Sequence, residues 1–224
     1  MNAEDLGALE PRQGRSRATR RRILVAANHL LRTRPFGTLS VQEIANAADC
    51  SIGAFYGRFR GKDDLIAPLM DRHYRGLQRG LRRAMASPGW DSMSLDDRLE
   101  WITRMTVWAF RSRRWLIRAV ALFLRQEGTP LTTSQFTRRD EFARFARGLL
   151  TDFADEIGHV ELENAIDFAL FLITTVCRER VLFSELWERE WAVEGDDAIV
   201  TEVARAAKSY LTTTTGVRGM WLGA

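Results

Sequence analysis

The chain is poor in the residues that build metal sites, disulfides and sharp turns. Its 224 residues include only two cysteines, three histidines and five prolines. Cys50 and Cys177 lie far apart and form no CxxC pair, so the chain carries no disulfide framework and a reducing compartment is expected. His29, His73 and His159 show no ligand spacing with one another or with the cysteines, so no metal and no cofactor is expected. No run approaches the roughly 18 apolar residues of a membrane span, and the first residues hold no apolar segment of signal-peptide type. A cytoplasmic protein without a membrane partner follows as the expectation. Alternation of β-branched residues is nearly absent, which argues against strands. No nucleophile–base pair, metal set or phosphate-binding loop is visible, so the chain is not expected to be an enzyme.

What is present is helical periodicity. Apolar residues make up 46% and charged residues 28%, enough apolar material for a sizeable core in a globular chain. Apolar positions recur at a period near 3.6 throughout, which predicts an all-α protein of about nine helices. Helices are expected over about 17–33, 41–47, 52–58, 62–85, 95–111, 113–126, 133–157, 161–190 and 196–213. Pro35-Phe36-Gly37 ends the first, "SPG" at 87–89 ends the fourth, and "EGTP" and "GH" mark later breaks. Residues 1–15 are expected to form a disordered arm and 216–224 a flexible tail. Residues 16–61 then form one domain and 62–215 a larger helical one.

Charge divides unevenly along this plan. Residues 1–75 hold 13 Lys/Arg and 8 Asp/Glu, a net +5, while the remainder is −1. Six arginines crowd between Arg12 and Arg22. Such a block suits phosphate backbones or anionic lipid, or is a solvated tail.

Beside that block lies a compact motif. Ser40 is a good N-cap, and Glu43 three residues on completes a capping box. After the short helix comes a turn, "DCS", and Ser51 caps the next helix. Two short helices joined by three residues make a helix-turn-helix. Asp63 and Asp64 open the helix that follows, where the helix dipole favours negative charge. The whole stretch, "LSVQEIANAADCSIGAFYGRFRGKDDL", resembles the DNA-binding motif of the TetR family of bacterial transcriptional regulators. The positions that carry the resemblance are Ile44, Ala45, Ser51, Gly53, Tyr56, Phe59, Lys62, Asp63 and Leu65. It spans about residues 17–66. Three positions depart from the family pattern. Asp49 stands where glycine is common in the turn, and Asp tolerates left-handed backbone better than most residues. Arg58 replaces a common histidine, and Gly57 replaces something larger.

The resemblance implies a homodimer that binds a pseudo-palindromic operator in double-stranded DNA and responds to a small-molecule effector. A helix as short as the second one is about as long as the major groove is wide. Ser51, Ile52 and Ala54 lie at its N-terminal end, where side chains reach base edges. Ile52 and Ala54 could touch thymine methyls, and Ser51 could bond several bases. Gln42 could make a bidentate bond to adenine or simply be exposed. Ser40 stands at the start of the same element. Tyr56, Arg58 and Lys62 are donors suited to phosphate, and the family resemblance assigns Tyr56 and Lys62 that role. Arg17 and Arg20 would add salt-dependent attraction. Phe55 could lie against the first helix or against the sugar-phosphate surface.

In the larger domain Trp101, Trp108 and Trp115 fall seven apart. With Met105, Phe123, Phe145 and Phe171 they are candidates to line an apolar effector pocket, or are core. The run around Phe168, Leu172 and Val176 reads as buried on two faces. Ile199, Val203, Ala207 and Tyr210 form a stripe on the last helix. Two such helices from each chain would make a four-helix interface with two-fold symmetry; otherwise they pack within their own domain. The leading expectation is a homodimeric repressor released from its operator by an apolar or aromatic molecule. The alternatives are a helical module meeting protein or membrane through its basic N-terminus, or a small helical enzyme.

Overall fold

The computed structural model of the protein describes residues 3–127, 133–184 and 195–213, with only the backbone described for 3–13, 124, 126–127 and 133–140. Nine α-helices are described: α1 (Ala3–Leu30), α2 (Val41–Ala47), α3 (Ile52–Tyr56), α4 (Ile66–Met85), α5 (Leu95–Ser112), α6 (Arg114–Glu127), α7 (Thr133–Gly148), α8 (Leu162–Leu182) and α9 (Asp196–Thr212). Short 3-10 turns cover Phe36–Thr38, Lys62–Leu65 and Thr151–Glu156, and no strand occurs among the described residues. The chain is therefore all-α, as its periodicity predicts.

Two elements depart from expectation. Helix α1 begins at Ala3, so residues 3–15, expected as a disordered arm, are helical. The stretch "AEDL" at its start is built largely of good helix formers. The helix expected over 133–157 stops at Gly148, because the chain turns there to bury both Leu149 and Leu150. A 3-10 turn follows, broken by non-helical backbone at Phe153. The last part of the helix expected over 161–190 and the tail at 216–224 lie outside the described residues.

The chain divides into two compact units. One comprises residues 1–76 and 115–138, the other 77–114 and 139–224. In the first, α1 contributes Ile23, Ala26, Ala27 and Leu31 to a core that also holds Phe36, Leu39, Ile44, Ala45, Phe55, Phe59 and Leu65. Leu116 and Val120 of α6 are buried in the same core. The first three helices form a very small body, and small bodies bury too little apolar surface to be stable alone. The apolar face of α6 supplies what they lack.

In the second unit α5, α8 and α9 pack on one another. Ile102 and Val107 of α5, Ile166, Ile173 and Val181 of α8, and Ile199, Val203, Ala207 and Leu211 of α9 are buried. Polar ties flank this core. Arg111 donates to Asp196 at 2.6 Å and Arg104 to Asp197 at 2.5 Å, both joining α5 to α9, and Lys208 pairs with Asp96. Arg147 at the end of α7 binds Glu163 and Asp167 of α8. Arg98 is the exceptional residue, a guanidinium only 2% exposed. It donates to the carbonyls of Leu149 and Trp90 at 3.0 and 2.9 Å and lies 4.0 Å over the Trp90 ring, with Phe153 on it at 5.3 Å. Burial lowers its pKa from the usual value, partly offset by Asp152 and Asp91.

Candidate nucleic-acid interface

The helix-turn-helix is built from local signals that agree with one another. The Ser40 hydroxyl accepts from the Glu43 amide, and the Glu43 carboxylate accepts from the Ser40 amide at 2.8 Å and the Ser40 hydroxyl at 2.7 Å. Arg34 pairs with the same carboxylate. These bonds, that from Arg34 foremost and then those from Ser40, hold the Glu43 pKa down to about 2. A reciprocal cap of this kind fixes where α2 starts. Its end is fixed by Asp49, which has φ 50°, the left-handed conformation that a helix exit needs. Arg22 of α1 donates to the Asp49 carbonyl at 3.0 Å and holds the turn from outside. Ser51 then caps α3, its hydroxyl accepting from the Ala54 amide at 3.1 Å.

Helix α3 is shorter than expected, five residues with Gly57 as C-cap. One side of it is core. Phe55, 0% exposed, packs at 5.7 Å on Tyr56 and 5.5 Å on Phe59. This corrects the sequence expectation that placed Phe55 among DNA-contacting residues, because no solvent face remains to it. The other side is open. Ser51, Gly53 and Tyr56 are exposed, Ile52 is 40% exposed, and Ala54 is half-buried. A Cβ added at Gly53 would meet only Ser51 Oγ, at 3.9 Å, so no element of the protein requires glycine there.

The cations sort into held and presented groups. Lys62 is held: its ammonium donates to Gly37 O at 2.8 Å, Leu39 O at 3.0 Å and Phe36 O at 3.3 Å, and lies 5.4 Å from the Phe36 ring. The side chain that the family resemblance assigns to phosphate thus spends its protons on the turn before α2. Arg58 is partly held, with Nε on Ser16 O at 3.1 Å and a terminal nitrogen on Ala54 O at 2.6 Å. That ties the end of α3 to α1. Arg20 lies 5.5 Å over the Phe59 ring and is exposed, as is Arg17. Ser40 and Gln42 are exposed on α2, and the Gln42 amide donates to Asn46 Oδ1 at 2.9 Å. The sequence reading missed Asn46; its spacing of four from Gln42 on one helix was the available signal.

The residues proposed from sequence for a pocket do not share one body. Trp115 and Phe123 pack partly buried on the core of the first unit. Phe123 meets Phe36 edge-on at 5.6 Å, and Arg32 lies 4.7 Å over the Trp115 ring. Trp115 and Phe123 thus belong to the first unit, whose small core takes in α6, and Trp101 to the second. Trp101, Met105 and Phe145 are half-buried in the second unit, with Trp101 edge-on to Trp90 at 5.0 Å. Trp108 and Phe171 are exposed, at 56% and 62%. The α9 stripe is likewise corrected: Ile199, Val203 and Ala207 are buried by the chain's own packing. On α8 the picture differs, for Phe168, Phe171 and Val176 are exposed and Leu172 is half-buried. Tyr210 is half-buried, 4.8 Å from the Phe168 ring and 4.5 Å from that of His159.

An all-helical chain whose N-terminal unit is a capped helix-turn-helix with one open face has the architecture of helical transcription regulators. Residues 23–69 match the model of the bacterial regulatory proteins of the tetR family. The resemblance to the TetR family read over about residues 17–66 is shown by that match, and the fold agrees. A tetR-family regulatory protein from Rhodococcus RHA1 is similar with a TM-score of 0.61 at 18% identity, over 87% of this chain and 96% of that one. A TetR regulator from Haloarcula marismortui is similar with a TM-score of 0.60 at 19% identity, over 88% and 97%. The regulator FadR from Bacillus subtilis, in complex with stearoyl-CoA, is similar with a TM-score of 0.61 at 16% identity, over 87% and 98%. No curated protein matches the chain in sequence. No described helix is long and apolar enough to cross a membrane.

Proposed function

We propose that the chain is a homodimeric, sequence-specific DNA-binding repressor that leaves its operator when an apolar or aromatic small molecule binds. The observation that carries the reading is the divided α3: Phe55, with Phe59 just beyond its end, anchors it inward, while its cap Ser51 and Ile52, Gly53 and Tyr56 are exposed, as are Arg17 and Arg20 of α1. Anchored side chains hold a short helix rigid, and open ones reach base edges and phosphates. In this reading Ser51, Ile52 and Ala54 contact bases, Tyr56 and Arg58 meet phosphate, and Arg17 and Arg20 add salt-dependent attraction. Lys62 acts by holding the turn.

The exposed Phe168, Phe171 and Val176 of α8 are the surface proposed to meet a second copy. Apolar patches of this kind on a two-fold axis place two recognition helices on successive major-groove faces. Effector binding in the helical unit shifts the population between arrangements that fit the operator and those that do not. The FadR structure contains stearoyl-CoA, which makes a long-chain acyl-CoA the first effector to test.

The test is a mobility-shift titration with the DNA upstream of the chain's own gene, at several salt concentrations and with sedimentation in parallel. Selective, salt-sensitive binding by a dimer is expected. Binding to no promoter, or equal binding to all DNA, overturns the proposal.

A further inference from the structure

We infer that Gln42, braced by Asn46, reads an adenine in the major groove of each operator half-site. The inference rests on the DNA-binding reading above and adds to it a base and a second residue. Both side chains are exposed on α2, and both are polar amides on a helix whose opposite side buries Ile44 and Ala45. Neither reaches the core. Asparagine is a poor helix former, yet it stands within the last turn of a seven-residue helix.

The bond between them decides what Gln42 offers. Its amide nitrogen gives one proton to Asn46 Oδ1 at 2.9 Å. The second proton and both lone pairs of Oε1 stay open. What Gln42 still offers is Oε1 as an acceptor and one Nε2 proton as a donor, on an amide that Asn46 keeps from rotating. Adenine presents the complement in the major groove, the N6 amino donor beside the N7 acceptor. Guanine presents two acceptors there, O6 and N7, and Oε1 would face one of them unpaired. A free glutamine can turn its amide over to accommodate other partners. A braced one pays less entropy on binding and has fewer choices. The neighbouring open residues, Ser51 and Ile52 at the start of α3, belong to the other helix of the same motif.

The experiment is selection of binding sites from randomised DNA by the full-length chain, followed by affinity titrations with Gln42→Ala and Asn46→Ala. Both positions are exposed, and circular dichroism confirms that the variants fold. The wild-type chain is expected to select a site with one invariant A·T pair per half-site that Gln42→Ala no longer selects. Replacing that pair should weaken wild-type binding about 5- to 150-fold per half-site, the span of a bidentate amide contact, and weaken Gln42→Ala hardly at all. Asn46→Ala should reduce the preference at the same pair and at no other. The salt slope should stay unchanged in both variants, because neither amide meets phosphate. A site whose every position is selected equally by wild type and Gln42→Ala overturns the inference while leaving DNA binding intact. A loss in Asn46→Ala at a different base pair overturns the bracing. Failure of the wild-type chain to select any site overturns the DNA-binding reading itself.

Discussion

Replacing Lys62 by methionine separates two roles for one cation. Its ammonium makes three bonds to the carbonyls of Phe36, Gly37 and Leu39, all within 3.3 Å. Hydrogen bonds to a charged group contribute about 1.5–3 kcal/mol each when well made. Lys62 is half-buried, so water competes for part of that. Methionine keeps the apolar stem beside Phe36 and removes only the charge. A loss of about 2–3 kcal/mol in the first unit is reasonable, which moves a urea midpoint by about 1–2 M for ordinary slopes. Circular dichroism during urea titration reads it. Binding to the selected operator should weaken too, because the turn that positions Ser40 and α2 loosens. The dependence of affinity on salt should not change, since a cation that never met phosphate releases no counterion. A direct phosphate contact would instead lower the slope of log K against log salt by about 0.9. An unchanged urea midpoint together with a slope reduced by about one would refute the assignment of Lys62 to the turn.

Asp49 holds a left-handed backbone at φ 50°, a conformation that costs most L-residues about 1–2 kcal/mol; Asp49→Gly should raise the thermal midpoint slightly and Asp49→Val should lower it by several degrees. Glu43 has a folded pKa of about 2 against an ordinary 4.5, so its contribution is full above pH 4.5 and is lost as pH falls through 2. Acid titration of Glu43→Gln, followed by circular dichroism, should show this step missing. Arg98→Ala leaves two carbonyls unpaired and a void between Trp90 and Phe153; a loss of about 3–5 kcal/mol in denaturant titration is expected, and Arg98→Met should recover part of it by filling the void. Phe171→Glu puts a charge on the exposed face of α8 and should leave the monomer folded but undimerised by sedimentation.

Local signals made much of the protein legible in advance. The capping box of Ser40 and Glu43, the Ser51 cap and the tolerance of Asp49 for its turn are relations among residues within a few positions of each other. Short-range hydrogen bonds and backbone preferences settle them whatever the rest of the chain does. Helical period and break residues likewise placed most of the helices. Phe55 was ambiguous because a short helix shows sequence two faces without saying which is wet. Trp115 shared heptad spacing with Trp101 and Trp108, but spacing carries no information about which neighbour a face will cover.

Those matters were decided in three dimensions. Whether Lys62 meets phosphate or carbonyls depends on bringing a side chain beside a turn 23 to 26 residues earlier. Whether Ile199, Val203 and Ala207 wait for a partner depends on α5 and α8 reaching them first. The N-terminal core was too small to close on its own helices, and it closed by taking α6 from a part of the chain that sequence had assigned elsewhere. Sequence by itself determined the helices and their caps, because those depend on neighbours along the chain. Tertiary structure decided which faces are spent on folding and which remain open, because burial depends on neighbours in space.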